Sequence, residues 1–330
     1  MKLSFPLIAL CAALLVGCGA EPEKKTEGAK NGEKPFKVAL LTPSPISDAG
    51  WSANAYEGLK SIEKDLGATI ANKQSVGTQI RDDMRSYAQD GFNLIIGHGF
   101  EYNDPAIEIG KDFPDVAFLS SSGGKTSTNV GTFRFYLEQG FYLAGYTAGL
   151  MSKTGKVAMI GGPQVPSIES TFKGFEAGAK AARPDIKVIQ AFTGKDDDVA
   201  KAKQATEAAI AEGADFVIHQ ANAAVTGVFQ ACEAKGVFCF GANSDQNSAG
   251  KTMLASAIIN SAPAFKLLAQ DVKDGKFKGE VRLVGMDKGV IDYVWNPALS
   301  GKIPADVKEK VLAMRDKIIS GEVVVPKTEF

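Results

Sequence analysis

From residue 36 onward the chain alternates short β-rich runs with helical patterns, and this alternation limits the possible folds more than any other feature. The runs are "KVALLT", "NLIIG", "VAFLS", "KVAMIGG", "IKVIQAF", "DFVIHQ", "VFCFGA", "LASAIIN" and "VRLVG". Helical periodicity covers 52–66, 78–90, 103–112, 138–152, 168–182, 199–212, 223–235 and 262–274, and a last helix spans about 305–319. Several runs are apolar on both faces, as strands are in a parallel sheet covered by helices on each side. The pattern predicts an α/β fold of right-handed βαβ units in open, doubly wound parallel sheets. One such sheet does not need this many repeats, so two lobes are expected.

The break between lobes is expected near "GTFRFYLEQGFYLAGYTAGL", where a strand runs into a helix carrying Gly140, Gly145 and Gly149. Two more crossings are expected around 256–260 and 282–288. The first lobe is then 36–134 plus 260–281, and the second is 135–259 plus 282–330.

The first residues read as an address. "MKLSFPLIALCAALLVGCGA" has one Lys, an apolar run too short for the roughly 20 residues that cross a bilayer, and then small residues, as in a secretory signal. Its end, "LVGC", matches bacterial lipoprotein signals: residues 1–17 would be removed and Cys18 lipidated. Residues 18–35 are polar and of mixed charge, with too little apolar surface to fold, and read as a flexible tether. The expected place is a cell membrane or outer membrane, held by lipid alone and facing the periplasm or the exterior.

A net charge of −1 gives no basic footprint for nucleic acid. Cys232 and Cys239 remain after the leader and anchor; they could pair, but one falls on a helix and the other on a strand, which favours two buried small apolar residues. Motifs for nucleophile elbows, phosphate loops, dinucleotide turns and zinc sites are absent, so neither an enzyme nor a cofactor is expected.

Ligands of open α/β sheets bind beyond the carboxyl ends of the strands. Those ends carry "SPISDAGW", "GHGFEYND", "SSSGGKTS", "GGPQVPS", "FTGKDDD", "HQANAA" and "GANSDQN". Two lobes presenting such loops form a cleft rich in amides and hydroxyls, suited to a small polar ligand with a planar group. Phe100, Asn222 and Asp245 belong to these ends, as does Asp196, one of three acids that can cap a helix or enter the pocket. Trp51, beside Gly50, reads either as a hydrophobic staple for its helix or as a platform for a ligand. His98 and His219, each just after an apolar strand, read as residues packed at strand ends and bonded to backbone, with hydrogen-bonding groups at the cleft or metal ligands as the alternatives. Glu138 reads as an acid at a helix start.

Four stretches carry a resemblance: "DAGWSANAYEGL", "FYLEQGFYLAGYTAGLMSKTGKVAMIGG", "FGANSDQ", and "VGMDKGVIDY" with "KIISGEVVVP". In order, they span nearly the whole mature chain, which resembles the BMP (basic membrane protein) family of lipoprotein receptors for ABC-type importers. The resemblance implies a type I periplasmic-binding-protein fold: two doubly wound lobes joined by a multi-strand hinge and closing on a small molecule. It implies a monomer that delivers a purine nucleoside or nucleobase to an ABC-type permease. Trp51 would stack on the purine, with Asp48 and Ser52 near the base. Where nucleoside-binding relatives carry Asp, Lys, a second aromatic and a strand-end Asp, this chain has Asn243, Asn260, Asp196 and Ser121. Those replacements leave room for a non-purine ligand. A ligand-sensing or surface-interaction lipoprotein using the same cleft is the alternative.

Overall fold

The structure, a computed structural model, describes residues 35–48 and 50–329. The leader, Cys18 and the tether through residue 34 lie outside them. The strands follow in chain order as β1 (Lys37–Thr42), β2 (Thr69–Gln74), β3 (Leu94–Gly97), β4 (Ala117–Ser121), β5 (Val130–Phe135), β6 (Lys156–Gly161), β7 (Lys187–Phe192), β8 (Phe216–Gln220), β9 (Phe238–Asn243), β10 (Met253–Ile259), β11 (Val281–Val284) and β12 (Ile291–Trp295). The helices are α1 (Trp51–Leu66), α2 (Gln79–Gln89), α3 (Asn103–Gly110), α4 (Glu138–Met151), α5 (Pro166–Ala182), α6 (Val199–Ala211), α7 (Val225–Lys235), α8 (Ser261–Lys273) and α9 (Ala305–Ile319).

They build two six-stranded sheets, in the orders β11-β5-β4-β3-β1-β2 and β12-β10-β9-β8-β6-β7. Every pair in the first is parallel. In the second, only β12 runs antiparallel, along β10. The central strands show why alternation gives layers. Val38, Leu40, Leu94 and Ile96 turn to one face with Leu59, Ile62 and Phe265 of α1 and α8. Ala39, Leu41 and Ile95 turn to the other with Ile80, Met84 and Ile109 of α2 and α3. A period of two splits one apolar run between two cores.

Two strands escape a search for apolar runs. The β2 run "TIANKQ" is polar and largely exposed because it is the outer edge of its sheet. The β12 run "IDYVW" is an edge as well, with one face partly open. The expected lobe boundaries need a correction. Phe135 belongs to β5, and residues 282–284 to β11, so the breaks at 134/135 and 281/282 cut strands of the first sheet. Pairing continues through both points, and composition does not register it.

The chain crosses between the sheets from β5 to α4, from β10 to α8 and from β11 to β12. These crossings bond to one another: Met286 N donates to Gln139 Oε1 at 2.7 Å, and Asn260 N donates to Val290 O at 2.7 Å. The Gly-rich α4 packs closely on α5, since a Cβ at Gly145 would lie 2.0 Å from Phe175 O and one at Gly178 2.0 Å from Tyr142 O. Cys232 and Cys239 are both buried and free. Among the described residues no helix is long and apolar enough to cross a membrane.

Candidate functional site

The carboxyl ends of the two sheets face a common cleft holding a cavity of about 270 Å³. Small-molecule pockets run from about 300 to 1,000 Å³, so this one suits a compact ligand. Trp51, Phe100 and Phe135 line it from the first lobe, and Asp196, Gln220, Asn222 and Asn243 from the second. Backbone geometry marks the same place. Among the described residues, the non-glycine positions with left-handed backbone are Ser122 (φ 77°), Asn222 (φ 40°) and Asn243 (φ 68°). They end or follow β4, β8 and β9, and all three line the cavity. Such conformations cost free energy and gather where a site requires them.

The first wall is made of rings. Trp51 opens α1 and is half-buried. Its indole lies on the imidazole of His98, ring centroids 3.9 Å apart and planes 22° from parallel, with Phe135 edge-on at 6.0 Å. Trp51 Nε1–H donates to His98 O at 3.1 Å, and His98 Nε2–H donates back to Trp51 O at 3.1 Å. That bond leaves His98 Nδ1 as the acceptor for the Ser121 hydroxyl at 3.0 Å. Burial, the largest influence, pulls the His98 pKa down to about 3, so the imidazole is neutral at physiological pH.

Asp48 is committed to the backbone. Its Oδ1 accepts from the N–H groups of Gly50 and Ala53, and its Oδ2 from that of Ser52, each at 3.0 Å, which caps α1. Gly50 matters because the second lobe comes so near: a Cβ there would sit 2.6 Å from Asn222 Oδ1. Asn54 also ties the lobes, its Nδ2 donating to Asn243 O at 3.1 Å and Ile259 O at 2.7 Å.

The second wall is made of amides. Asn243 Nδ2 donates to Gln220 Oε1 at 3.1 Å, while Asn222 Oδ1 is buried without a partner among the described residues. Asp196 stands at the rim, its pKa raised by burial and then by Asp197. An outer chamber of about 590 Å³ shares Asn222 and Asn243 and is lined by Asp48, Asp245 and His219. The His219 Nε2–H donates to Gln246 Oε1 at 2.9 Å, and burial lowers its pKa to about 4.

The expected residues therefore divide. Trp51, Phe100, Asp196, Asn222 and Asn243 line the inner cavity, and Asp48 and Asp245 the outer chamber. Ser52, Ser121 and Asn260 line neither. Ser52 is buried on α1, Ser121 supports His98 from behind, and Asn260 precedes α8 with its side chain exposed.

Sequence reading missed Glu138 and Arg134. Glu138 stands in the first turn of α4 but makes no capping bond; it is buried on the cavity wall, paired with the Arg134 guanidinium. Its Oε2 has no partner among the described residues. No local signal marks the pair: Arg134 lies on a strand and Glu138 opens a helix, so no helical spacing links them. Among the described residues, no group of three or more His, Cys, Asp or Glu could hold a metal ion.

Comparisons with known proteins agree with this geometry. The family model described as ABC transporter substrate-binding protein PnrA-like, named Bmp, matches residues 36–329. The chain is 30% identical, over 84% of its length and 86% of the relative's, to the transcriptional activator protein med of Bacillus subtilis. It is 28% identical, over 89% of its length and 84% of the relative's, to a purine-binding protein of Brucella abortus. It is 30% identical, over 95% of each chain, to the ABC transporter nucleoside-binding protein BmpA of Lactococcus lactis subsp. cremoris. In structure it is similar to an ABC transporter solute-binding protein from Conexibacter woesei, with a TM-score of 0.74 and 27% identity, over 88% of this chain and 99% of that one.

Proposed function

This chain belongs to the Bmp family of PnrA-like ABC transporter substrate-binding proteins, and from that premise we propose that its cleft captures a purine nucleoside or nucleobase for an ABC-type permease. A lipid on Cys18 would hold it outside the cytoplasm. The observation that carries the ligand class is the Trp51 ring, fixed by His98 on the wall of a compact cavity and faced by hydrogen-bonding amides. A planar heterocycle has a face for the indole and edges for Gln220, Asn222 and Asn243. The names of the Brucella and Lactococcus relatives support the same class. Contacts from both lobes favour the closed state, which the permease would read.

One feature favours a second reading. The second lobe lines the cavity with Pro163, Val165 and Ile168 rather than with a ring, which fits a non-purine ligand with an apolar face. A thermal-shift and calorimetric panel of purine bases, nucleosides, pyrimidines, sugars and amino acids decides between them. A ligand at 100 times its Kd raises stability by about 2.7 kcal/mol. A purine response supports the first reading. A response confined to another class replaces it with the second, and a silent panel removes both in favour of a sensing or surface role.

A further inference from the structure

The Glu138 carboxylate is held from outside the cleft by the last residues of the chain. Arg134 Nη1 donates to Thr328 O at 2.5 Å, and its Nη2 donates to Glu138 Oε1 and, at 2.8 Å, to Ser170 Oγ. The Ser170 hydroxyl donates in turn to Glu138 Oε1, and Thr328 N–H donates to Ser170 Oγ at 2.8 Å. A second tie lies just upstream, where the Tyr136 hydroxyl donates to Val325 O and Val325 is buried. The tail thus grips both sides of the first crossing: Arg134 lies on β5 of the first sheet, and Ser170 lies on α5 of the second lobe.

The two carboxylate oxygens have unequal surroundings. Oε1 accepts from a guanidinium and a hydroxyl, whereas Oε2 is buried with no partner among the described residues. Glu138 and Arg134 both line the cavity. Desolvating an ionised carboxylate is costly unless it is paired and fully hydrogen-bonded, and Arg134 supplies only the pairing. An N–H or O–H from the cavity side would complete the set.

We propose that the C-terminal tail, residues 325–329, is a positioning element of the binding site, holding Arg134 and Ser170 so that Glu138 Oε2 accepts a hydrogen bond from the ligand. The inference rests on the receptor reading above and sharpens it: the ligand carries a donor, a ring N–H, amine or hydroxyl, at its Glu138 edge. Thr328 acts through its backbone and touches no ligand.

The test compares the chain with one lacking residues 326–330, with Thr328→Pro, which removes the donor to Ser170, and with Val324→Ala, whose side chain is exposed and lies outside the proposed element. Two readouts are needed. In the unliganded protein, hydrogen exchange at residues 134–140 should accelerate in the deletion and in Thr328→Pro, leave β1 and β6 unchanged, and stay normal in Val324→Ala. Calorimetry with adenosine, inosine, guanosine and hypoxanthine should show the deletion weakening binding by roughly 10- to 100-fold, the scale of a hydrogen bond to a charged group.

In a Glu138→Gln background the deletion should cost little more, because both act through one carboxylate. If the deletion and Glu138→Gln add independently, or exchange at 134–140 is unchanged, the tail has no positioning role. If exchange accelerates as expected but the intact chain binds none of the four compounds, the purine reading fails, and the positioning role is judged on the compound of the wider panel that the intact chain does bind, where equal affinity in the deletion overturns it. If the deletion does not fold, Thr328→Pro carries both readouts.

Discussion

In the first lobe the cleft wall is a stack of rings; in the second it is a row of amides on left-handed backbone. Both grow from the same strand order, and each lobe has a buried histidine near a strand end. The difference lies in how the walls are held. Trp51 is fixed by ring contact, two reciprocal backbone bonds and the Ser121–His98 bond behind it. Asn222 and Asn243 are fixed by backbone conformation, and Asn222 keeps an oxygen with no partner among the described residues. For the ligand class proposed above, the ring wall would supply area for a planar group, and the amide wall the polar contacts that choose among planar groups.

The largest effect that would sharpen this comparison is acid. Burial depresses His98 to about 3 and His219 to about 4, from an ordinary 6.5. A depressed histidine contributes stability that is complete above the unfolded pKa and is lost as pH falls through the folded one. At pH 5 each should have given up about 2 kcal/mol relative to pH 8. Urea denaturation at the two pH values measures it, and His98→Gln and His219→Gln should each flatten the dependence by about half. Equal slopes in all three proteins would mean that neither imidazole is held neutral. Asp196 and Glu101, whose pKa values burial raises, push the other way, so differences between variants are the clean measure.

Next comes the ring wall. Trp51→Ala should weaken a stacking ligand by about 1–3 kcal/mol, while Trp51→Phe keeps most of the affinity. Calorimetry separates this from a fold effect. If Trp51→Ala lowers thermal stability but leaves affinity intact, the indole serves only to pack on His98. The amide wall should respond less: Gln220→Leu should cost about 0.5–1.5 kcal/mol of affinity, the scale of one neutral hydrogen bond, and should change which ligand is preferred. A loss as large as that of Trp51→Ala would erase the distinction between the walls.

Much of the architecture was legible because apolar runs and helical periodicity report burial directly. The strands it missed, β2 and β12, are edges, where burial is partial and the pattern fades. The candidate site is legible only where cavity lining and local pattern coincide. Trp51, Asn222 and Asn243 stand at strand ends, and strand ends in an α/β fold point to a cleft. Asp48 also stands at one, but its carboxylate is occupied by three backbone N–H groups, a fact of turn geometry that residue type does not reveal. Glu138 failed in the opposite direction. Its place in a first helical turn suggested capping, and its partners, Arg134, Ser170 and through them Thr328, converge from three separate parts of the chain. Ser121 bonds His98 and lies off the cavity lining, which residue type does not reveal, because a hydroxyl on a strand end reads the same from either side of the wall.

The smallest effect concerns backbone alone, and it tests why the amide wall carries asparagines. At Asn243 the chain holds φ 68°, and the side chain bonds Gln220 while the carbonyl accepts from Asn54. Asparagine tolerates left-handed backbone better than most side chains, and glycine tolerates it without strain. Asn243→Gly should therefore hold the fold near its original stability while losing the amide, whereas Asn243→Ala should be about 1 kcal/mol less stable than Asn243→Gly. Both should lose the same ligand affinity if the side chain alone meets the ligand, because both lack the amide. Should Asn243→Ala bind more weakly than Asn243→Gly by the same margin that separates their stabilities, the turn itself shapes the wall. Chemical denaturation and calorimetry on the two variants supply both numbers, and their ratio says whether the second lobe recognises through its amides or through the backbone that aims them.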